Sequence, residues 1–285
     1  MLKPKGVIPA LVTPLNDKGE IMEEALRRLI EYVIEGGVHG VFILGSTGEI
    51  YGLDMEQKRR AIEITVDQTA GRVPVYAGAS EITTRDCIRT AQLAESIGGV
   101  DAISVLTPYF VTPNPRELAD HYKAIAESVK TPIILYGNDD KTQVSISPEL
   151  CLELADVENI VGIKDSSGDM TKMVEYIRLT KGKEFSVLAG RDTLIYGNLC
   201  YGGDGAIASC ANVAPAIAAG IYDAFVAGDL AKSLEYQFQL APLRLAFSLG
   251  TFPVVVKEAL KMIGIDVGSA LKPVGEMSEE NQLSP

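Results

Sequence analysis

The stretch Asn159-Ile160-Val161-Gly162-Ile163-Lys164-Asp165-Ser166-Ser167-Gly168 decides the fold. A short apolar run ends in a lysine, and a small, polar, glycine-containing turn follows. A bounded run of this kind reads as a fully buried parallel strand. Lys164 then stands where the strand leaves the core. Buried surroundings disfavour an ammonium ion, which eases deprotonation, and a neutral lysine amine attacks a ketone to form a Schiff base. The competing reading is a lysine that merely opens a solvated loop, since most lysines are exposed. The flanking sequence decides between them.

Strand-like runs recur on both sides of this stretch, with helical patterns between them. The runs are Val7–Val12, Gly40–Leu44, Val73–Ala77, Ala102–Leu106, Pro132–Tyr136, the lysine strand, Phe185–Ala189 and Gly205–Ala208. Helices are expected near 22–35, 54–69, 84–97, 115–129, 148–155, 170–179, 193–201 and 215–227. Alternation of this sort indicates βαβ units and a parallel sheet. Eight units over about 225 residues suit a closed (β/α)8 TIM barrel. A doubly wound open sheet competes, but no GxGxxG follows the first strand. Beyond residue 228 the pattern turns helical, over 230–249 and 253–263. The expected organisation is therefore a barrel over residues 1–228 and a C-terminal helical segment, 229–285, packed on it.

Composition narrows the function classes. The chain has 285 residues and a formal net charge of −12, so no basic excess is available to neutralise nucleic-acid phosphates. Cys87, Cys151, Cys200 and Cys210 form no CxxC pair and read as reduced, buried thiols. His39 and His121 lack the spacing of a metal site, and His121, on an expected helix, reads as a surface or packing residue. No metal is expected. The start, Met1 to Gly6, carries no apolar segment typical of a signal peptide. No run approaches the roughly 20 apolar residues that span a bilayer. A cytoplasmic protein without membrane or nucleic-acid partners is the expectation.

Chemistry in such a barrel sits at the C-terminal ends of the strands. There the sequence places Thr13-Pro14, Gly45-Ser46-Thr47-Gly48-Glu49, Tyr109, Tyr136, Lys164, Gly190-Arg191-Asp192 and Ile207-Ala208-Ser209. Successive N–H groups in the Gly45–Gly48 turn can form an anion-binding nest, although an ordinary βα turn explains the same residues. The turn lacks the GxxxxGK[ST] pattern of a nucleotide loop. Tyr136, on the strand beside the lysine, can shuttle a proton to and from a carbinolamine; taken singly it is equally a packing residue. Lysine, neighbouring tyrosine and Ser/Thr loop together make a parts list for Schiff-base chemistry on a 2-keto acid.

At these residues the sequence resembles the dihydrodipicolinate synthase / N-acetylneuraminate lyase family of pyruvate-dependent class I aldolases. The resemblance runs from about Gly6 to Gly275. It rests on Gly45-Ser46-Thr47-Gly48-Glu49, Thr107-Pro108-Tyr109, Leu135-Tyr136, Gly162-Ile163-Lys164-Asp165 and Gly203-Asp204-Gly205-Ala206-Ile207. It implies that Lys164 forms the Schiff base and that Tyr136 is the general acid/base. Ser46 and Thr47 bind the keto-acid carboxylate, Thr47 also relays protons, and Ile207 lines the pyruvate pocket. No cofactor is needed, because the lysine supplies the electron sink. The partners implied are a 2-keto acid and an aldehyde, in a homo-oligomer (tetramer or dimer).

The departures concern the aldehyde end. Dihydrodipicolinate synthases usually carry Thr-Thr in the first loop, a Tyr-Tyr pair after strand four and an arginine five residues after the strand-five tyrosine. Here stand Ser46-Thr47, Tyr109-Phe110 and Lys141. Lysine keeps the charge but loses the bidentate fork. The Asp-Glu pair that neuraminate lyases place after strand seven is Asp192-Thr193, and Arg191 beside it is either an anchor for a substrate tail or the partner of a surface carboxylate. These changes favour a retro-aldol lyase cleaving a 2-keto-3-deoxy sugar acid to pyruvate and an aldehyde, with Tyr109, Lys141, Arg191 and Asp192 on the second half of the substrate. The alternatives are 4-hydroxy-tetrahydrodipicolinate synthase, which condenses pyruvate with aspartate semialdehyde, a 2-keto acid dehydratase, and a non-catalytic metabolite-binding barrel.

Overall fold

The structure is a computed structural model that describes residues 2–278 and residue 281. Met1 and the rest of the end of the 229–285 segment lie outside the described residues. Eight strands are found: β1 (Gly6–Pro9), β2 (Val41–Ile43), β3 (Val75–Gly78), β4 (Ala102–Leu106), β5 (Ile133–Gly137), β6 (Ile160–Asp165), β7 (Ser186–Ala189) and β8 (Gly205–Ala208). Each pairs in parallel with its sequence neighbour from β2 to β8, and β8 returns to β1. A parallel bridge between Ala10 and Phe42 and the hydrogen bond from Leu11 N–H to Phe42 O (2.8 Å) close the ring between β1 and β2. The expected (β/α)8 TIM barrel is therefore the fold.

Two apolar layers hold the barrel. Ile8, Ala10, Phe42, Tyr76, Ala102, Ile134, Val161, Leu188 and Ile207 fill its interior. The opposite strand faces pack against the surrounding helices, as period-two alternation in a doubly covered sheet requires. Gly162 is needed where β6 meets β7, since a Cβ there would lie 2.7 Å from Ser186 O. The helices are α1 (Glu23–Glu35), α2 (Met55–Thr69), α3 (Thr84–Ile97), α4 (Pro115–Glu127), α5 (Asp139–Thr142), α6 (Pro148–Leu154), α7 (Met170–Leu179), α8 (Ile195–Cys200), α9 (Pro215–Val226), α10 (Leu230–Leu245) and α11 (Val254–Met262). Reciprocal capping boxes, Asp54 with Gln57 and Asn114 with Glu117, start α2 and α4, each worth about 1 kcal/mol. None of the helices of the described residues is long and apolar enough to cross a membrane.

The structure departs from the sequence expectations at three places. β1 stops at Pro9, and by Val12 the backbone N–H has left the ladder for the side chain of Asn212 (3.1 Å). The short α5 lies in the Gly137–Lys141 run, which has no apolar periodicity to announce it. Of the four free thiols, Cys200 is exposed on the last turn of α8, whereas Cys87, Cys151 and Cys210 are buried.

His121 proves to be a buried packing residue of α4, with Nδ1 2.9 Å from Thr84 Oγ1. Burial depresses its imidazole to about 4 from the ordinary 6.5. The unfolded chain therefore binds more protons than the folded one between those values, and stability is lost as pH falls through that window, by about 3 kcal/mol at full effect. Urea midpoints should drop between pH 7 and pH 5 more steeply in the wild type than in His121→Phe. Parallel pH profiles would refute this.

Candidate active site

β5 and β6 set the centre of the site by register. Tyr136 pairs with Lys164, so two neighbouring strands deliver phenol and amine side by side at the barrel mouth. Lys164 Nζ lies 4.0 Å from the Tyr136 ring centroid and 5.4 Å from that of Phe42. Both residues are buried, and no carboxylate pairs with Lys164 among the described residues. Burial pushes the Tyr136 phenol up. The charge of Lys164 and hydrogen bonds with Ser46, Asn138 and Ser166 together outweigh this and leave it below its ordinary value. Ser46 Oγ lies 3.5 Å from the phenol oxygen, and Asn138 Nδ2 donates to it at 3.2 Å.

The Gly45–Gly48 turn is bracketed by two left-handed residues, Leu44 (φ 61°) and Glu49 (φ 57°), each a strained conformation for a side chain of this size. Thr13 Oγ1 donates to Gly48 O at 2.7 Å, and Thr47 Oγ1 lies 2.9 Å from Ser209 Oγ. The N–H groups of Ser46 and Thr47 donate to no acceptor among the described residues, which leaves two backbone donors for an anion. Glu49 anchors the turn from behind. Its Oε1 lies 2.6 Å from Lys257 Nζ of α11, and its Oε2 accepts the Leu271 N–H at 2.6 Å. Both side chains are buried. Removing one partner of a buried pair strands the other, so Lys257→Met should cost roughly 3–5 kcal/mol. Lys257→Met with Glu49→Gln should recover much of it. Denaturant unfolding checks this, and a single-variant loss below about 1 kcal/mol would contradict the role of the pair.

A pocket of about 310 Å³ opens above these groups. Ser46, Thr47, Tyr136, Lys164, Lys141, Arg191 and Asp192 line it, all of them expected from the sequence. Tyr109 and Ile207 are not brought into its wall. Ile207 points into the apolar layer of the barrel interior. Tyr109 is half-buried on the side of Glu81 and Cys87, where burial first and then their charge raise its phenol. Phe110 is 95% exposed with φ 74°. Lys141 is an exposed residue of α5, and Arg191 pairs with Asp140 of the same helix at 3.2 Å. Asp192 is almost wholly buried: its Oδ1 accepts the Cys210 N–H at 2.8 Å and its Oδ2 lies 3.5 Å from Arg244 Nε. Its carboxylate is thus committed to the protein itself.

Sequence reasoning placed Ser209 at the end of strand eight without giving it a role, and missed Asn138, Ser166 and Asp140, and also Arg244, Phe247, Ser248 and Phe252, which come from the helical segment after the barrel. Ser166 adjoins Lys164 in the opening stretch, so its position was open to inference. Gly190 makes room for it: a Cβ there would lie 2.0 Å from Ser166 Oγ. The C-terminal contributors carry no such signal, because they obey no strand-end rule.

The arrangement matches known proteins throughout its length. A family model, the dihydrodipicolinate synthetase family, covers residues 3–284. The chain belongs to the dihydrodipicolinate synthetase family. It is 42% identical over 278 residues to a 4-hydroxy-tetrahydrodipicolinate synthase of Syntrophus aciditrophicus, covering 98% of this chain and 94% of that one. It is 38% identical over 278 residues to the protein of that name from Methanothrix thermoacetophila, covering 98% and 93%. Among solved structures it resembles YagE, a prophage protein of the dihydrodipicolinic acid synthase family from E. coli K12, in complex with pyruvate. The TM-score is 0.94 at 32% identity, covering 98% of this chain and 95% of the other. Members of the dihydrodipicolinate synthetase family are class I, aldolase-type carbon–carbon lyases and synthases that join a lysine to pyruvate as a Schiff base, and this chain is an enzyme of that class.

Proposed function

We propose that Lys164 forms the imine with pyruvate and that the resulting enamine attacks the aldehyde of aspartate semialdehyde, the reaction named for the curated relatives. The register of Tyr136 against Lys164 supports this most strongly. The Lys164 amine adds to C2 of pyruvate, giving a carbinolamine. Tyr136 supplies the proton that lets its hydroxyl leave as water, and a C3 proton is then lost to give the enamine. Ser46 and Thr47 hold the pyruvate carboxylate through the two unpaired N–H groups and their hydroxyls. C3 then bonds to the aldehyde carbon, whose oxygen takes a proton, and water releases the product from Lys164.

A second reading is the retro-aldol cleavage of a 2-keto-3-deoxy sugar acid. It is favoured by the lack of a hydroxyl on Phe110 and of a guanidinium at Lys141. A 2-keto acid dehydratase would use the same imine. Incubation with pyruvate and aspartate semialdehyde, followed by mass spectrometry, tests the first reading: pyruvate-dependent loss of the semialdehyde is expected. No loss with the semialdehyde, together with pyruvate release from 2-keto-3-deoxygluconate, would transfer the assignment to the second. Homo-oligomerisation and a cytoplasmic setting belong to the same proposal.

A further inference from the structure

The far side of the pocket is built from outside the barrel. Arg244, on α10, lines the same pocket as Lys164 and Tyr136. Two contacts fix where its guanidinium stands. Nε faces the buried Oδ2 of Asp192 at 3.5 Å, and the guanidinium carbon lies 4.9 Å from the Phe247 ring centroid. Asp192 is itself clamped by the Cys210 N–H at 2.8 Å. About two turns earlier on α10, Gln237 Nε2 donates to Asp192 O at 2.9 Å and its Oε1 accepts the Tyr196 N–H at 2.9 Å. The helix is thus pinned to the loop after β7 at two levels. No hydrogen bond from the terminal nitrogens of Arg244 is found among the described residues.

Apart from Lys164, the other two basic residues of the wall differ. Arg191 spends Nη2 on Asp140, and Lys141 is exposed at the rim without a planar fork. Arg244 is therefore the pre-positioned, partly buried guanidinium with free donors, the group suited to grip a carboxylate in two-point fashion. We propose that Arg244 binds a carboxylate at the end of the substrate remote from the keto carbon and so selects carboxylate-bearing partners. This rests on the Schiff-base reading of Lys164 and deepens it by naming the substrate class. Buried Asp192 is then a positioning residue, which orients Arg244 and does not itself meet the substrate.

Imine trapping reads this without need of turnover. Two pairs of 2-keto acids of equal chain length, 2-oxoglutarate with 2-oxopentanoate and 2-oxoadipate with 2-oxohexanoate, are reduced onto the protein with borohydride, and the half-saturating concentration of each is measured. In at least one pair the dicarboxylate should saturate at a concentration about tenfold lower, the scale of a charge-assisted hydrogen-bonded contact. Arg244→Gln should bring that ratio to near one. Arg244→Lys, which keeps the charge and packs in the same space, should lower it part-way, and it serves alone if Arg244→Gln does not fold. No preference in either pair in the wild type, or a preference that Arg244→Gln or Arg244→Lys leaves intact, overturns the assignment while pyruvate trapping still stands. Failure of the wild type to trap pyruvate overturns the Schiff-base reading and this inference with it.

Discussion

Lys164→Ala should lose turnover by roughly 10⁴-fold or more, the scale seen when an enzyme loses its covalent nucleophile. The expectation follows from placement. Lys164 stands near the end of β6, buried among Tyr136, Phe42 and the pocket wall, with no carboxylate to hold it among the described residues. Lys141, which shares the pocket wall, is exposed on α5, and Lys257 is paired behind the turn with Glu49. Truncation also removes a buried side chain with no ion-pair partner among the described residues, so the fold should tolerate it, and a circular-dichroism melt alongside the assay establishes that. Turnover within tenfold of the wild type in a folded variant would remove Lys164 from the chemistry.

Tyr136→Phe should lower kcat by about 10²–10⁴-fold, the usual contribution of a positioned general acid/base. Phenylalanine preserves the ring against the Lys164 amine and deletes only the hydroxyl that faces Ser46 and Asn138. A proton-transfer role therefore predicts a loss in kcat and in the rate of imine formation, with little change in stability. Ser46→Ala adds a signed check. The Ser46 hydroxyl is one of the groups that hold the Tyr136 phenol below its ordinary value, so its removal should move the limb of the pH–rate profile belonging to the phenol to higher pH. A Tyr136→Phe variant that turns over at the wild-type rate would leave the phenol with only a packing role.

Much of this architecture can be read from the chain, for identifiable reasons. Buried parallel strands announce themselves as unbroken apolar runs, which is why β4 and β8 fall where the sequence puts them and β6 ends one residue past Lys164. The strand-end rule then finds Lys164, Tyr136 and the Gly45–Gly48 turn, because a closed barrel turns sequence position into location. The alternation of β8 sends the side chain of Ile207 into the barrel interior. Tyr109 is half-buried and stands outside the pocket wall. The strand-end rule cannot anticipate that Asp192 is used up by Cys210 N–H and Arg244, or that Arg191 meets Asp140, since each of these contacts joins elements far apart in the chain. The remote half of the pocket escapes for a related reason. Arg244, Phe247 and Phe252 belong to a helical segment whose docking is a tertiary event, with no periodicity pointing to the mouth of the barrel.

The most direct test of the account is borohydride reduction of the protein in the presence of pyruvate, read by intact mass and peptide mapping. A single pyruvate-sized adduct on Lys164, absent in Lys164→Ala, is the result predicted. Folded wild-type protein that acquires no adduct with pyruvate or with longer 2-keto acids, or that carries it on another lysine, would contradict the assignment of this pocket to Schiff-base chemistry.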